Sequence, residues 1–307
     1  MAKFSWVGFL CALTATMLWS SLYPVGRLLM LSGVNDLDPL ALTWIRLFLS
    51  SVFFIPFLCL KGSGGTLCQA VKTDWKKLLL LALLGNVGEG YLLLASLCWT
   101  TAARASLLAN ASPIFTVIIA WLLLREKASW KMLSGMIIGF AGIIVAMGLT
   151  SGADCFGGGG LKGLLGDGLA LASGICWAAY TVCGAEISRK YSDSVAIMTI
   201  AFAALILLPF VIFKPGCLAS LLALPWQGWL VVLYLALLVN GWANILWYRA
   251  LKTLSAGALG SFGYISAGLA AVMSLIGLKE HFSLTFVLSI VMVLAGVGLM
   301  LTPKEEK

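Results

Sequence analysis

Leu83-Leu-Gly-Asn-Val-Gly-Glu-Gly-Tyr91 places an amide, a carboxylate and three glycines inside an apolar run from Leu78 to Cys98. Asn86 and Glu89, three residues apart, share one face of a helix. A carboxylate is costly in hydrocarbon, so Glu89 must pair, stay protonated or face the protein interior. There it handles a substrate amine or a proton, or it closes a structural pair with Arg46 or Arg27. Gly85, Gly88 and Gly90 let a backbone or a ligand come close, or let the helix bend. A second cluster, Asn240-Gly-Trp-Ala-Asn-Ile-Leu-Trp-Tyr248, puts Asn240, Asn244 and Trp247 on one face with Tyr248 beside it. Trp177, Tyr180 and Thr181 form a third cluster, and Tyr264 and Ser266 a fourth. Aromatic walls with a few amides suit planar or apolar solutes, although the same rings also pack helices together or anchor them at interfaces. Arg46, inside an apolar run, either pairs structurally or contacts a substrate carboxylate. Arg104 is expected to snorkel to the membrane surface.

These groups need elements that hold them in lipid. The chain of 307 residues is 61% hydrophobic and 10% charged, with a mean hydropathy of +1.04, which excludes a soluble globular domain. Runs long enough to cross a bilayer fall at 5–32, 40–60, 77–98, 103–124, 131–150, 167–187, 194–213, 228–250, 256–278 and 283–302. The first is too long for a cleaved leader and reads as a spanning helix. With both termini in the cytoplasm, fourteen of the twenty Lys and Arg fall on the inside, as the positive-inside rule requires. The net charge of +8 therefore needs no nucleic-acid partner. The eight cysteines and single histidine show no metal or redox spacing, so no metal and no cofactor is expected.

The two halves repeat. At an offset of 154, Trp75 matches Trp229, Asn86 matches Asn240, Glu126 matches Glu280 and Ser129 matches Ser283. Upstream the offset is 158, where Gly8 matches Gly166, Trp19 matches Trp177 and Gly26 matches Gly184. The expected fold is an all-α integral membrane protein of ten transmembrane helices in two inverted five-helix repeats. Residues 1–150 form the first repeat, 151–166 a Gly-rich linker and 167–307 the second repeat. An odd number of spans inverts the second copy, the pattern of secondary transporters with a site at mid-membrane. Asn86 and Asn240, being matched, read chiefly as interhelical hydrogen-bonding scaffold and secondarily as cavity lining. Glu89, matched by Ala243, reads as specialisation. Glu126 and Glu280 close the fourth and ninth helices beside cations and read as helix-end clamps.

The chain resembles the drug/metabolite transporter superfamily, specifically its ten-helix EamA-type members. The resemblance rests on Trp19-Ser-Ser-Leu-Tyr-Pro-Val-Gly26, on Arg46 within Thr43-Trp-Ile-Arg-Leu-Phe-Leu, and on Ala102-Ala-Arg-Ala-Ser-Leu-Leu-Ala-Asn-Ala-Ser-Pro113 followed by Leu-Leu-Arg-Glu126. A second copy runs from Ser255 to Glu280, with Ala267 in place of Pro113. Tyr23 and Asn110, which lie in these segments, join the candidate substrate-binding residues. The resemblance implies a transporter and not an enzyme, working on a small-molecule substrate from within a lipid bilayer, in a bacterial cytoplasmic membrane. Export of amino acids or related amphiphiles by alternating access is the first expectation, with proton coupling through Glu89. Nucleotides, nucleosides or nucleotide sugars are the alternative substrates, and a channel or membrane scaffold the alternative class. The oligomeric state is left open.

Overall fold

The structure, a computed structural model, describes residues 6–31, 37–124, 130–146, 160–191, 193–253, 262–278 and 284–300. Among the described residues every regular element is helical. They are α1 (Trp6–Leu31), α2 (Pro39–Leu58), α3 (Gly64–Leu81), α4 (Gly90–Ser96), α5 (Ala102–Ala109), α6 (Ser112–Leu124), α7 (Trp130–Ala146), α8 (Gly160–Tyr191), α9 (Asp193–Phe213), α10 (Cys217–Leu222), α11 (Trp226–Tyr234), α12 (Ala243–Thr253), α13 (Phe262–Leu278) and α14 (Leu284–Met300). Among the described residues, four stretches are long and apolar enough to cross a membrane: Trp6–Met30, Pro39–Ser96, Ser194–Phe213 and Trp226–Ala250. Large apolar side chains such as Val7, Phe213, Leu222 and Ile276 lie on the outside of the bundle, where a bilayer would cover them.

The Pro39–Ser96 stretch holds 58 residues, far more than one crossing needs. Two backbone breaks divide it. Gly62 takes φ 80°, which only glycine adopts without strain, and Asp74 leaves the helical region at φ −123° and ψ 23°. Gly216, 154 positions after Gly62, takes φ 77° between α9 and α10. The start of α2 is set by Asp38, whose carboxylate accepts from the Leu40 N–H at 2.9 Å, with Pro39 in the first turn. Asp38 also pairs with Lys214 at 2.5 Å, which holds the Lys214 ammonium above the ordinary lysine range. Asp74 of α3 accepts from Lys190 at 2.9 Å and from the Tyr191 hydroxyl at 2.8 Å, both at the end of α8.

Four expected elements differ in detail. The run expected at 77–98 widens into a π-helical stretch at Ala82–Glu89, and that at 228–250 into another at Leu235–Trp242. Both stretches lie inside runs that are largely apolar, so too little polar contrast is present for the wider turn to show in sequence. The run at 103–124 is not continuous. It breaks at Asn110–Ala111 between α5 and α6, because Pro113 has no N–H to give the Ala109 carbonyl. Gly174 of α8 packs on that carbonyl, so closely that a Cβ there would lie 2.7 Å from the oxygen. Finally, the linker expected over 151–166 is already helical from Gly160. Gly166 there abuts the backbone of Trp99 and Thr100, where a Cβ would lie 2.9 Å from the Thr100 nitrogen. Residues 151–159 lie outside the described residues.

Packing is paired. α7 lies along α14, and α2 along α9. α1 packs on α12 and α13, and α8 packs on α3, α4, α5 and α6. Among the described residues the buried core forms one large cluster with members from α1, α4, α5 and α11, another with members from α2, α3, α8 and α9, and a small one of Ala12, Ala250 and Phe262.

Candidate functional site

Glu89 closes the first π-helical stretch, at the seam between α8 and α2. Its glycine neighbours seat the surrounding side chains. A Cβ on Gly85 would lie 2.5 Å from the Tyr180 ring, and one on Gly88 3.0 Å from Cys176 Sγ. On the far side, Gly90 receives Arg46, with Nη2 3.6 Å from where its Cβ would be. Gly85→Ala is therefore expected to lower stability by about 1–3 kcal/mol through overpacking against Tyr180. A thermal melt of the detergent-solubilised variant checks this.

Glu89 lies in the electrostatic reach of Arg46, Tyr23, Tyr180 and Cys176. The expected structural pair does not close, since neither Arg46 nor Arg27 appears among the ion pairs of the described residues within 4.0 Å of Glu89. Arg27 instead donates to the Leu97 carbonyl at 3.3 Å. Arg46 is only 4% exposed, yet its Nε has no hydrogen-bond partner.

An aromatic chain runs beside this charge. Trp177 stacks on Tyr180 at 5.3 Å, and the Tyr180 and Tyr248 hydroxyls are hydrogen-bonded. Trp19 meets Trp177 edge-on at 5.7 Å and Trp247 at 5.0 Å. The Trp19 indole N–H donates to the Val239 carbonyl at 3.1 Å, inside the second π-helical stretch. Trp19, which the residue chemistry alone did not select, and Tyr248, which it placed only beside the Asn240 face, thus join the candidate site. For Trp19 the usable signal was its repeat match to Trp177.

The other expected residues divide. Asn110 donates to the Tyr23 hydroxyl at 3.1 Å and to the Ser106 carbonyl at 2.8 Å, so this pair lies at the helix break. Asn244 donates to the Asn240 carbonyl at 2.6 Å, which turns its amide onto its own helix. The interhelical bonds expected of the matched asparagines are not formed among the described residues. Asn240 is buried with Nδ2 unpartnered, and Asn86 is half-buried. The Tyr264 side chain, Glu126 and Glu280 lie outside the described residues. Arg104 does not snorkel: it forms a two-point ion pair with Asp167, which also accepts from Thr100 Oγ1 at 2.5 Å. Asp167 is fully buried and sits 63 positions away in sequence, so no local pattern announces it.

The chain matches the EamA-like transporter family over residues 6–148 and again over 164–302. It belongs to that family. The EamA-like transporter is 27% identical to an uncharacterized transporter of Archaeoglobus fulgidus, over 90% of its own length and 91% of that protein's. It is 27% identical to the uncharacterized transporter YetK of Bacillus subtilis, covering 85% and 78% of the two chains. It is 24% identical to the aromatic amino acid exporter YddG of Ancylobacter novellus, over 86% of each chain. A solved crystal structure of 21% identity aligns over 95% of this EamA-like chain and 96% of its own with a TM-score of 0.65, which supports the fold.

Proposed function

We propose that this transmembrane transporter exports amino acids, or closely related amphiphilic metabolites, by alternating access with proton exchange at Glu89. The observation that carries the reading is Tyr180. Its ring fills the space at Gly85, four residues before Glu89, and stacks on Trp177. A charged group and an aromatic wall therefore meet at one place, as an amphiphile with an ammonium group and an apolar body requires. Proton and ammonium compete for one carboxylate, so release of one accompanies uptake of the other. The exporter YddG supports the same substrate class.

Rocking would occur between two inverted five-helix repeats, 1–150 and 167–307, with both termini in the cytoplasm of a bacterial cell. The glycine breaks at Gly62 and Gly216 and the two π-helical stretches support that repeat. So does the packing of α1 on α12 and α13 against that of α8 on α4 and α6. Binding of a nucleotide phosphate is less favoured, because Arg104 is committed to Asp167 and Arg27 donates to Leu97.

The test is counterflow in proteoliposomes loaded with L-tryptophan, L-phenylalanine, L-leucine or uridine. Saturable exchange of an amino acid supports the reading. Exchange of uridine alone sinks the substrate class, and non-saturable flux sinks the carrier in favour of a channel.

A further inference from the structure

Resting on the amino-acid reading, we propose that Arg46 and Ser50 form a carboxylate-binding subsite opposite Glu89, so that the transporter selects zwitterions. Both residues lie on one face of α2, one turn apart. Both are buried, at 4% and 0% exposed, and Arg46 Nε and Ser50 Oγ have no hydrogen-bond partner. Unmade hydrogen bonds of buried groups are costly and rare, more so for a charged one.

Ser50 had an easy local alternative. The neighbouring hydroxyls on α2 take it: Ser51 donates to the Leu47 carbonyl and Thr43 to the Pro39 carbonyl, each at 2.7 Å. Ser50 Oγ makes no such bond. Two donors on one face thus lack an acceptor, and a carboxylate supplies two oxygens.

The position of Arg46 gives the subsite its counterpart. Its guanidinium rests at Gly90, the residue after Glu89, yet no ion pair joins Arg46 to Glu89 among the described residues. Two opposite charges are held near one another without closing. An α-amino acid carries its carboxylate and ammonium on one carbon, and satisfies Arg46 and Glu89 together. Its side chain then lies along Tyr180 and Trp177. A ligand with only one charge leaves the other buried group unmatched, and rejection of such analogues is strong where a site is built to bond the missing group.

The experiment measures binding of four ligands to the purified full-length protein by ligand-induced thermal shift and competition. They are L-tryptophan, L-tryptophanamide, tryptamine and indole-3-propionate. The wild type is expected to bind L-tryptophan about ten- to a hundredfold more tightly than the amide, the size of one or two charge-assisted hydrogen bonds. Arg46→Gln is expected to remove that preference while the amide still binds. Ser50→Ala, which leaves every charge in place, is expected to weaken L-tryptophan alone by about tenfold. Parallel weakening of all four ligands in both variants makes Arg46 and Ser50 structural and overturns the subsite. Equal binding of acid and amide by the wild type also overturns it and leaves the amino-acid reading standing. Failure of all four to bind, while another solute class does, overturns that reading itself.

Discussion

Asp167→Ala is expected to destabilise the protein by about 3–5 kcal/mol, the cost of leaving a buried charge without its partner. Asp167 is fully buried and holds Arg104 through both carboxylate oxygens, and the Arg104 side chain is only 15% exposed. The Thr100 hydroxyl loses its acceptor at the same time. The loss belongs to the broken pair and not to the pair's net worth. The double replacement Asp167→Leu with Arg104→Met should therefore recover most of it, since buried ion pairs are often replaced by apolar groups at little cost. Thermal melts of the three variants in one detergent decide the matter. If Asp167→Ala alone leaves the melt unmoved, the pair is better solvated than its burial indicates.

Glu89→Gln is expected to uncouple transport from protons. Glutamine keeps the size of the side chain and its acceptor oxygen but can neither take up a proton nor carry charge. Wild-type vesicles should concentrate substrate against its gradient when a pH difference is imposed. The variant should not, although it should still exchange substrate for substrate with affinity lowered about tenfold or more through loss of a charge-assisted bond. Uphill accumulation by Glu89→Gln vesicles would remove Glu89 from the coupling path. Because Glu89 has no ion-pair partner in the described residues, its neutralisation leaves no cation newly bereft of a closed contact. A folded variant is the expected outcome.

The helical membrane architecture was legible because apolar runs of span length and the distribution of Lys and Arg are written in composition. The internal match was legible because Trp and Asn are rare enough to register. Trp19 and Trp177, matched in sequence, meet ring to ring. Glu89 could be singled out since a carboxylate in an apolar run has few neutral explanations. What stayed hidden depended on distance or on backbone detail. Asp167 gave no sign that it would meet Arg104, because nothing local links residues brought together only by packing α8 on α5. Tyr248 could be placed beside a polar face but not opposite Tyr180. Asn244 looked like cavity lining by its position on a face, and only the structure shows its amide folded back on the Asn240 carbonyl. The break at Asn110–Ala111 was foreshadowed by Pro113, yet the apolar run on either side is unbroken and reads as one helix.

That break has no twin. α13 runs uninterrupted from Phe262 to Leu278, through the position where Ala267 replaces Pro113. A carrier made of two identical halves would rest equally long facing either side of the membrane. Under the alternating-access reading proposed above, the break before Pro113 would remove that degeneracy by giving one half a flexible point the other lacks. Such an imbalance cannot choose the direction of net flux, which the gradients alone determine. In such a carrier it would set which orientation the empty protein waits in, and hence on which side of the membrane the next solute finds an open door.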